Sequence, residues 1–222
     1  MSLRIALAGR VEVEADGMPV PGRGLGPLGR LAFAYLVLER DRPVPRDELA
    51  DVLWGEDPPR SWETSVRVLV SKIRAVLAGA GLPATEVLTT EAGCYQLHLP
   101  PGTAVDLDEA ATALDTAQAA IREGSYGSAV AGAAGVAAVA ARQLLPGASG
   151  GWLEHRQGEL RELRLRALEV LSEAALAAGD PDRGVAAAEE AVALDPLRES
   201  AYLRAMHACA GAGNRSEALR VY

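Results

Sequence analysis

Large apolar residues recur at every second position near the N-terminus, within Leu3–Val13. This two-residue period is typical of strands with one buried face. Asp16-Gly17 is a tight-turn dipeptide, so Met18–Pro21 is predicted to form a short return strand. The chain is therefore predicted to begin with a small antiparallel sheet.

The pattern then changes to the three- and four-residue spacing of amphipathic helices. Pro45 favours the start of a second helix, and Ser61 is a credible N-cap for a third. Two further strands surround Glu91-Ala92-Gly93 and are predicted to form a hairpin. The predicted elements of this part are helices at Leu28–Arg40, Arg46–Trp54 and Ser61 to about Leu77, and strands at Leu88–Thr90 and Tyr95–Leu99.

Pro100-Pro101-Gly102 separates this part from a helical remainder, so we expect two domains, 1–100 and 101–222. In the remainder, Gly179–Val185 is similar to Gly213–Leu219 at an offset of 34 residues, the period of tetratricopeptide repeats. The chain stops at Tyr222 inside the second copy, so we expect either that it is part of a longer protein or that its last helix is poorly supported. The predicted helices are Leu107–Glu123, Tyr126–Leu144, Trp152–Ala178, Arg183–Leu194, Glu199–Gly211 and Ser216 onward.

The composition suggests a cytoplasmic protein. Apolar residues make up 49% of the chain, but no stretch is long and apolar enough to span a bilayer, and no secretory signal is recognisable. The two cysteines, Cys94 and Cys209, lie far apart in the sequence, which favours a reduced compartment. The net charge is −8, of which residues 1–100 contribute −2 and residues 101–222 contribute −6. DNA binding by the first domain therefore needs a local basic face.

The third predicted helix has such a face. One arc of the helix is apolar, and the opposite arc carries cations, hydroxyls and small residues, with Arg74 at its edge. The major groove of DNA accepts one helix. Arg and Lys side chains of such a helix pair with guanine edges, and its hydroxyls and cations bind phosphates. The candidate DNA-binding residues of this helix are Thr64, Arg67, Val68, Ser71, Lys72 and Arg74.

Taken alone, this pattern is more typical of an amphipathic helix with a solvated basic face. The order of the elements favours DNA binding, because strands, three helices and a hairpin follow one another as in a winged helix. The predicted fold class is thus mainly α with a small β part: an N-terminal winged helix-turn-helix followed by an all-α domain of tetratricopeptide-like helices.

Several motifs together resemble the Streptomyces antibiotic regulatory protein (SARP) family, whose members combine an OmpR-type winged helix with a bacterial transcriptional activation domain. The resemblance covers nearly the whole chain, and its motifs occur in the family's order. They are Arg42–Gly55 (RPVPRDELADVLWG), Val66–Arg74 (VRVLVSKIR), Val105–Leu107 (VDL), Leu194–Glu199 (LDPLRE) and Asn214–Tyr222 (NRSEALRVY).

The resemblance implies roles for individual residues. Arg67, Val68 and Lys72 would face bases, whereas Thr64, Ser71 and Arg74 would face phosphates. Thr89 and Thr90 would lie in the wing, near the DNA backbone or the minor groove.

The wing departs from the family pattern at two positions. Glu91 stands where a basic residue often meets the minor groove, and a carboxylate there is repelled by phosphates. Cys94 stands where glycine is usual, so it either distorts the hairpin or is accommodated as a small apolar residue.

The resemblance further implies a transcriptional activator that binds direct repeats in promoters of a secondary-metabolite gene cluster. Its partners would be double-stranded DNA, RNA polymerase holoenzyme and a second copy of the chain on DNA. The alternative is a helical-repeat interaction protein, or a regulatory fragment of a larger ATPase-type regulator.

Other chemistry receives little support from the sequence. The carboxylate pairs Asp106/Asp108 and Glu189/Glu190 are interpreted as solvated, because no pocket partner is visible. His207 and Cys209 are too close together for a convincing zinc site and lack further ligands. We therefore expect no enzymatic activity, no cofactor and no metal.

Overall fold

The computed structural model describes residues 2–20 and 25–221, so Pro21 of the predicted return strand lies outside the described residues. The strands are β1 (Leu3–Ala6), β2 (Glu12–Ala15), β3 (Met18–Pro19), β4 (Val44–Pro45), β5 (Leu88–Glu91), β6 (Cys94–Leu97) and β7 (Ala104–Val105). The helices are α1 (Pro27–Leu38), α2 (Arg46–Trp54), α3 (Trp62–Gly79), α4 (Ala84–Val87), α5 (Asp106–Arg122), α6 (Tyr126–Ala140), α7 (Gly151–Ala177), α8 (Pro181–Leu194), α9 (Glu199–Gly211) and α10 (Arg215–Val221). The predicted fold class, mainly α with a small β part, is confirmed.

Two compact units divide the chain. The first contains Met1–Asp106 together with Gln143–Gln157, and the second contains Leu107–Arg142 together with Gly158–Tyr222. The first unit therefore includes a segment that comes much later in the sequence than its other residues.

The predicted N-terminal sheet is present in the first unit. Its four strands have the order β3-β2-β1-β7, with β1 antiparallel to β2 and parallel to β7. Leu3, Ile5 and Leu7 are buried, which agrees with the two-residue period of the sequence. Strand β7 was not predicted, because two residues are too few to show a period.

Helices α1, α2 and α3 follow in the first unit, and a three-stranded sheet of order β4-β6-β5 completes it. Helix α2 has the predicted bounds, whereas α1 ends at Leu38 rather than at Arg40. Pro45 was predicted to favour the start of α2, and in the structure it also pairs with Cys94 of β6, next to a pair between Val44 and Tyr95. The short helix α4 was not predicted either.

The second unit consists of α5 from Leu107, α6, α7 from Gly158, and α8 to α10, packed mainly through small residues. A Cβ atom added at Gly132 of α6 would lie 3.3 Å from the Cβ of Ala117 on α5, so the Ala/Gly-rich sequence of α6 allows close approach of the two helices. Gly184 of α8 lies still closer to Leu176 of α7, since a Cβ atom added at Gly184 would lie 3.0 Å from the Leu176 Cγ. The two copies of the 34-residue pattern each begin with a glycine at positive φ, Gly179 and Gly213.

Arg198 gives the LDPLRE segment a structural role in the second unit. Its guanidinium group, between α8 and α9, contacts the Glu169 and Glu162 carboxylates of α7 at 2.7 Å each. Burial raises the pKa of Glu169, but the hydrogen bonds from Arg198 and Ser200 leave this pKa below its ordinary value. The segment therefore fixes the turn between α8 and α9 to α7.

Two further expectations from the sequence were wrong. Helix α6 was predicted to reach Leu144 but ends at Ala140, because Leu144 forms a β-bridge with Ala8 and Leu145 has a φ of 48°. Asp106 was interpreted as solvated, but it is buried and accepts hydrogen bonds from the backbone amides of Leu7 and Ala8. Neither contact has a local sequence signal, because the partners are far apart in the chain.

Candidate nucleic-acid interface

Helix α3 has one buried face and one exposed face, as the sequence predicted. The buried residues are Val66, Val70, Ile73, Val76 and Leu77. The exposed residues include Thr64, Arg67, Val68, Ser71 and Lys72, five of the six candidate DNA-binding residues of this helix. We call these five residues the exposed α3 face. They lie within about two turns, so all five could reach one surface.

The exposed α3 face carries two cations in different situations. Arg67 forms an ion pair with Glu63 one turn earlier, at 3.2 Å, and both side chains are about 60% exposed. Such an exposed pair is worth little and exchanges readily for another anion. Within the described residues, Lys72 has neither a hydrogen bond nor an ion pair. Both charges are therefore available to an anionic partner.

Val68 lies between these cations and is 48% exposed, which makes it one of the few large apolar side chains at the surface of the described residues. An apolar side chain in this position suits contact with a thymine methyl group.

Strands β5 and β6 form the predicted hairpin, which we call the wing. Leu88 pairs with Leu97 and Glu91 with Cys94, so the loop contains only Ala92 and Gly93, both at positive φ as in a type I′ turn. Cys94 is half-buried in regular pairing, so it is accommodated without distorting the hairpin. The Glu91 side chain is exposed beside the turn.

The wing candidates Thr89 and Thr90 differ in exposure. Thr89 is half-buried, whereas Thr90 is exposed and accepts a hydrogen bond from Arg74 Nη2 at 2.9 Å. Arg74 also donates to the Leu88 carbonyl oxygen, at 3.1 Å from Nε and 2.7 Å from Nη2. The sixth helical candidate is thus engaged with the wing and does not belong to the exposed α3 face.

A polar network fixes α1 against α2, the helix that precedes α3. Tyr35 donates a hydrogen bond to the Glu48 carboxylate, and Arg42 donates to the same carboxylate at 2.6 and 3.0 Å. The Arg42 hydrogen bond holds the pKa of Glu48 below its ordinary value. Burial, reinforced by Glu48, raises the pKa of Tyr35 to about 12. At neutral pH, Tyr35 is therefore uncharged, whereas Arg42 and Glu48 are charged.

A second network joins the segment 143–157 to the end of α1. Glu39 accepts hydrogen bonds from Trp152 Nε1 at 3.3 Å and from Arg156 Nη2 at 2.7 Å. The Trp152 ring also lies edge-on to Tyr35, with 4.9 Å between the ring centroids. Sequence reasoning did not identify this network, because nothing near residue 39 indicates a partner more than a hundred residues later.

The described residues offer little for other chemistry. They contain no group of three or more His, Cys, Asp or Glu side chains that could hold a metal ion. A search of the same residues finds no helix that could cross a membrane.

Comparison with known protein families supports the sequence motifs. Residues 105–222 match the family described as bacterial transcriptional activator domain, and residues 25–97 match the family described as transcriptional regulatory protein, C terminal. The first match covers more than half of the chain.

Similar curated proteins are regulatory proteins by name, and two of the three described below are named transcriptional regulatory proteins. The transcriptional regulatory protein EmbR of Mycobacterium tuberculosis is 38% identical over 101 residues, which are 46% of this chain and 26% of that protein. The transcriptional regulatory protein MoaR1 of the same organism is 26% identical over 92% of this chain and 66% of its own length. The regulatory protein AfsR of Streptomyces coelicolor is 31% identical over the whole chain and 22% of its own length. The chain thus spans between about a fifth and two thirds of these relatives.

A solved structure has the same fold. The structure of Mycobacterium tuberculosis EmbR in complex with a low-affinity phosphopeptide superimposes with a TM-score of 0.88 at 28% identity, over 99% of this chain and 57% of that one. The predicted SARP resemblance is confirmed, and the chain belongs to the bacterial transcriptional activator domain family.

Proposed function

We propose that this chain is a sequence-specific DNA-binding transcriptional activator whose helix α3 enters the major groove. The observation that carries the proposal is the exposed α3 face, which presents two available cations, two hydroxyls and one apolar side chain on a helix whose other face is buried. These are the groups that read base edges and hold phosphates.

We assign roles within this face by chemistry. Arg67 and Lys72 meet guanine edges, and Val68 meets a thymine methyl group. Thr64 and Ser71 donate to phosphate oxygens and fix the register of the helix. Arg67 exchanges its exposed ion pair with Glu63 for the DNA, which costs little because that pair is solvated.

The wing contributes through Thr89, Thr90 and the backbone. It carries Glu91 and no cation between Leu88 and Leu97, so we expect a smaller share of the affinity from the wing than from α3. A second copy bound to an adjacent direct repeat supplies the remaining affinity.

We further propose that residues 1–100 are the DNA-binding domain and that residues 101–222 activate transcription by contacting RNA polymerase holoenzyme. Gln143–Gln157 would assist the first domain, since they pack within its unit. The regulated genes would be a secondary-metabolite cluster, and the protein would act in the cytoplasm, on the nucleoid.

Binding of purified variants to a DNA duplex tests the proposal. The duplex is enriched from a random-sequence pool by the wild-type chain and compared with the promoters of neighbouring biosynthetic genes. We expect Arg67→Ala and Lys72→Ala each to weaken binding by about 1–3 kcal/mol. Arg183→Ala removes an exposed cation from α8 in the second unit and should leave the affinity unchanged.

A further variant should change the affinity for DNA in the opposite direction. Glu63→Gln releases Arg67 and removes a carboxylate from the start of α3, so it should strengthen DNA binding. Unchanged affinity in both Arg67→Ala and Lys72→Ala would refute the assignment of the exposed α3 face.

Protein binding by the helical unit is the second candidate function. Leu203 of α9 is 53% exposed and lines a surface cavity of about 670 Å³ together with Tyr202 and Met206. If the enriched pool contains no preferred sequence and the α3 variants bind DNA like the wild type, this function is favoured over the first.

A further inference from the structure

The wing is attached to its surroundings on two sides. On one side, β6 pairs with β4, the Arg46 backbone amide donates to the Gly93 carbonyl oxygen at 3.2 Å, and the Arg46 guanidinium group lies 5.7 Å from the centre of the Tyr95 ring. On the other side, β5 is held by Arg74 of α3. The first attachment involves several backbone contacts, whereas the second combines the buried side chain of Leu88 with the hydrogen bonds from the Arg74 side chain.

The planar guanidinium group of Arg74 makes this contact through two neighbouring nitrogen atoms. Nε and Nη2 both donate to the Leu88 carbonyl oxygen, and Nη2 also donates to Thr90 Oγ1. The side chain is half-buried, unlike Arg67 and Lys72 on the neighbouring turns. A lysine ammonium group at this position could not reproduce two parallel donors in one plane.

We propose that Arg74 is a positioning residue that fixes the wing relative to α3, rather than a ligand of a DNA phosphate. The inference rests on the proposed DNA-binding function and deepens it. By holding both the carbonyl group at the start of β5 and the hydroxyl group two residues later, Arg74 orients the wing before DNA is bound. The wing and the exposed α3 face then meet the duplex as one preformed surface.

The charge of the wing makes this role distinguishable from phosphate binding. Each cation that neutralises a phosphate steepens the salt dependence of the affinity by about one unit of slope. The wing has no Lys or Arg between Leu88 and Leu97, so misplacing it lowers affinity without changing that slope. Loss of a phosphate ligand, in contrast, lowers the affinity and also changes the slope of its salt dependence.

Amide hydrogen exchange of the free protein tests the attachment without DNA. In Arg74→Ala and Arg74→Lys, we expect the β5–β6 amides to exchange about tenfold faster than in the wild type, because hydrogen bonds from a charged donor are lost. The β1–β2 amides serve as an internal reference, and Lys72→Ala as the matched control should leave the wing amides unchanged. Unchanged wing exchange in Arg74→Lys overturns the proposal.

DNA binding of the 222-residue chain to the enriched duplex tests the consequence. Arg74→Ala should lose hydroxyl-radical protection on the wing side of the site while its salt slope equals that of the wild type. Lys72→Ala should keep the wing-side protection and lower the slope by about 1. Arg74→Lys keeps the charge and should still lose the wing-side protection.

A slope lowered by about 1 in Arg74→Ala, or wing-side protection retained in Arg74→Lys, would make Arg74 a phosphate ligand and overturn the proposal. If the wild-type chain enriches no duplex at all, the proposed function fails, and the exchange experiment still decides whether Arg74 positions the wing.

Discussion

The buried carboxylate of Asp106 accepts hydrogen bonds from the backbone amide of Leu7, at 2.9 Å to Oδ1 and 3.0 Å to Oδ2, across 99 residues of sequence. The Ala8 amide donates to Oδ2 as well, at 3.0 Å. Asp106 begins α5 directly after β7, which lies parallel to β1. The carboxylate thus satisfies two amides just beyond the end of β1, within the first unit.

Asp106→Asn should lower the free energy of unfolding by about 1–3 kcal/mol. The amide group of asparagine offers one acceptor oxygen and places N–H donors against the Leu7 and Ala8 amides. Chemical denaturation measures the change. Asp115→Asn, an exposed position on the same helix, is the control and should have almost no effect; equal losses in the two variants would contradict a specific role for Asp106.

Ala92→Gly should stabilise the first unit by about 1 kcal/mol, because Ala92 has a φ of 47°, where a Cβ atom is unfavourable. Glycine occupies this region without strain. The same replacement in regular helix, Ala75→Gly in the middle of α3, should destabilise by a similar amount. Thermal unfolding should show a higher melting temperature for Ala92→Gly and a lower one for Ala75→Gly. Destabilisation by Ala92→Gly would show that the turn is not strained.

The Glu39 network should make the stability of the folded protein depend on pH in the acidic range. Partial burial raises the pKa of Glu39, but hydrogen bonds from Arg156 and Trp152 outweigh this effect and leave its pKa below the ordinary value of 4.5. A carboxyl group with a lowered pKa in the folded protein stabilises it above the ordinary pKa. That stabilisation is lost as the pH falls from there through the folded pKa.

Arg156→Gln should therefore reduce stability at neutral pH, and the difference from the wild type should shrink below a pH of about 4.5. Denaturant titrations over a pH series measure it. Arg122→Gln, on the exposed surface of α5, should show the wild-type pH dependence. A constant difference between Arg156→Gln and the wild type at all pH values would argue against Glu39 as the titrating partner.

Glu91→Lys should strengthen DNA binding and steepen its salt slope by about 1, because it replaces an exposed carboxylate next to the wing turn with a cation. Glu12→Lys makes the same charge change on β2 of the N-terminal sheet. Equilibrium binding to the enriched duplex at several salt concentrations compares the two. If Glu12→Lys has an equal effect, the gain reflects net charge and not the position of the wing.

Local periodicity predicted most of the helices and the two faces of α3. Helix α2 and helix α9 have the predicted bounds, since a proline precedes each start, a glycine lies at or just after each end, and apolar residues repeat on one side. The elements that were missed, β4, α4 and β7, have two to four residues. Such short elements show no period and depend on a partner elsewhere in the chain.

The sequence by itself determined which residues of α3 are exposed, because a 3.6-residue period separates the buried arc from the cationic one. Only the tertiary structure decided what lies at the edge of that arc. Arg74 could face DNA or the wing, and the position of the Leu88 carbonyl group selects the wing. Asp106 and Glu39 likewise obtain their partners from segments about a hundred residues away, which no local pattern can indicate.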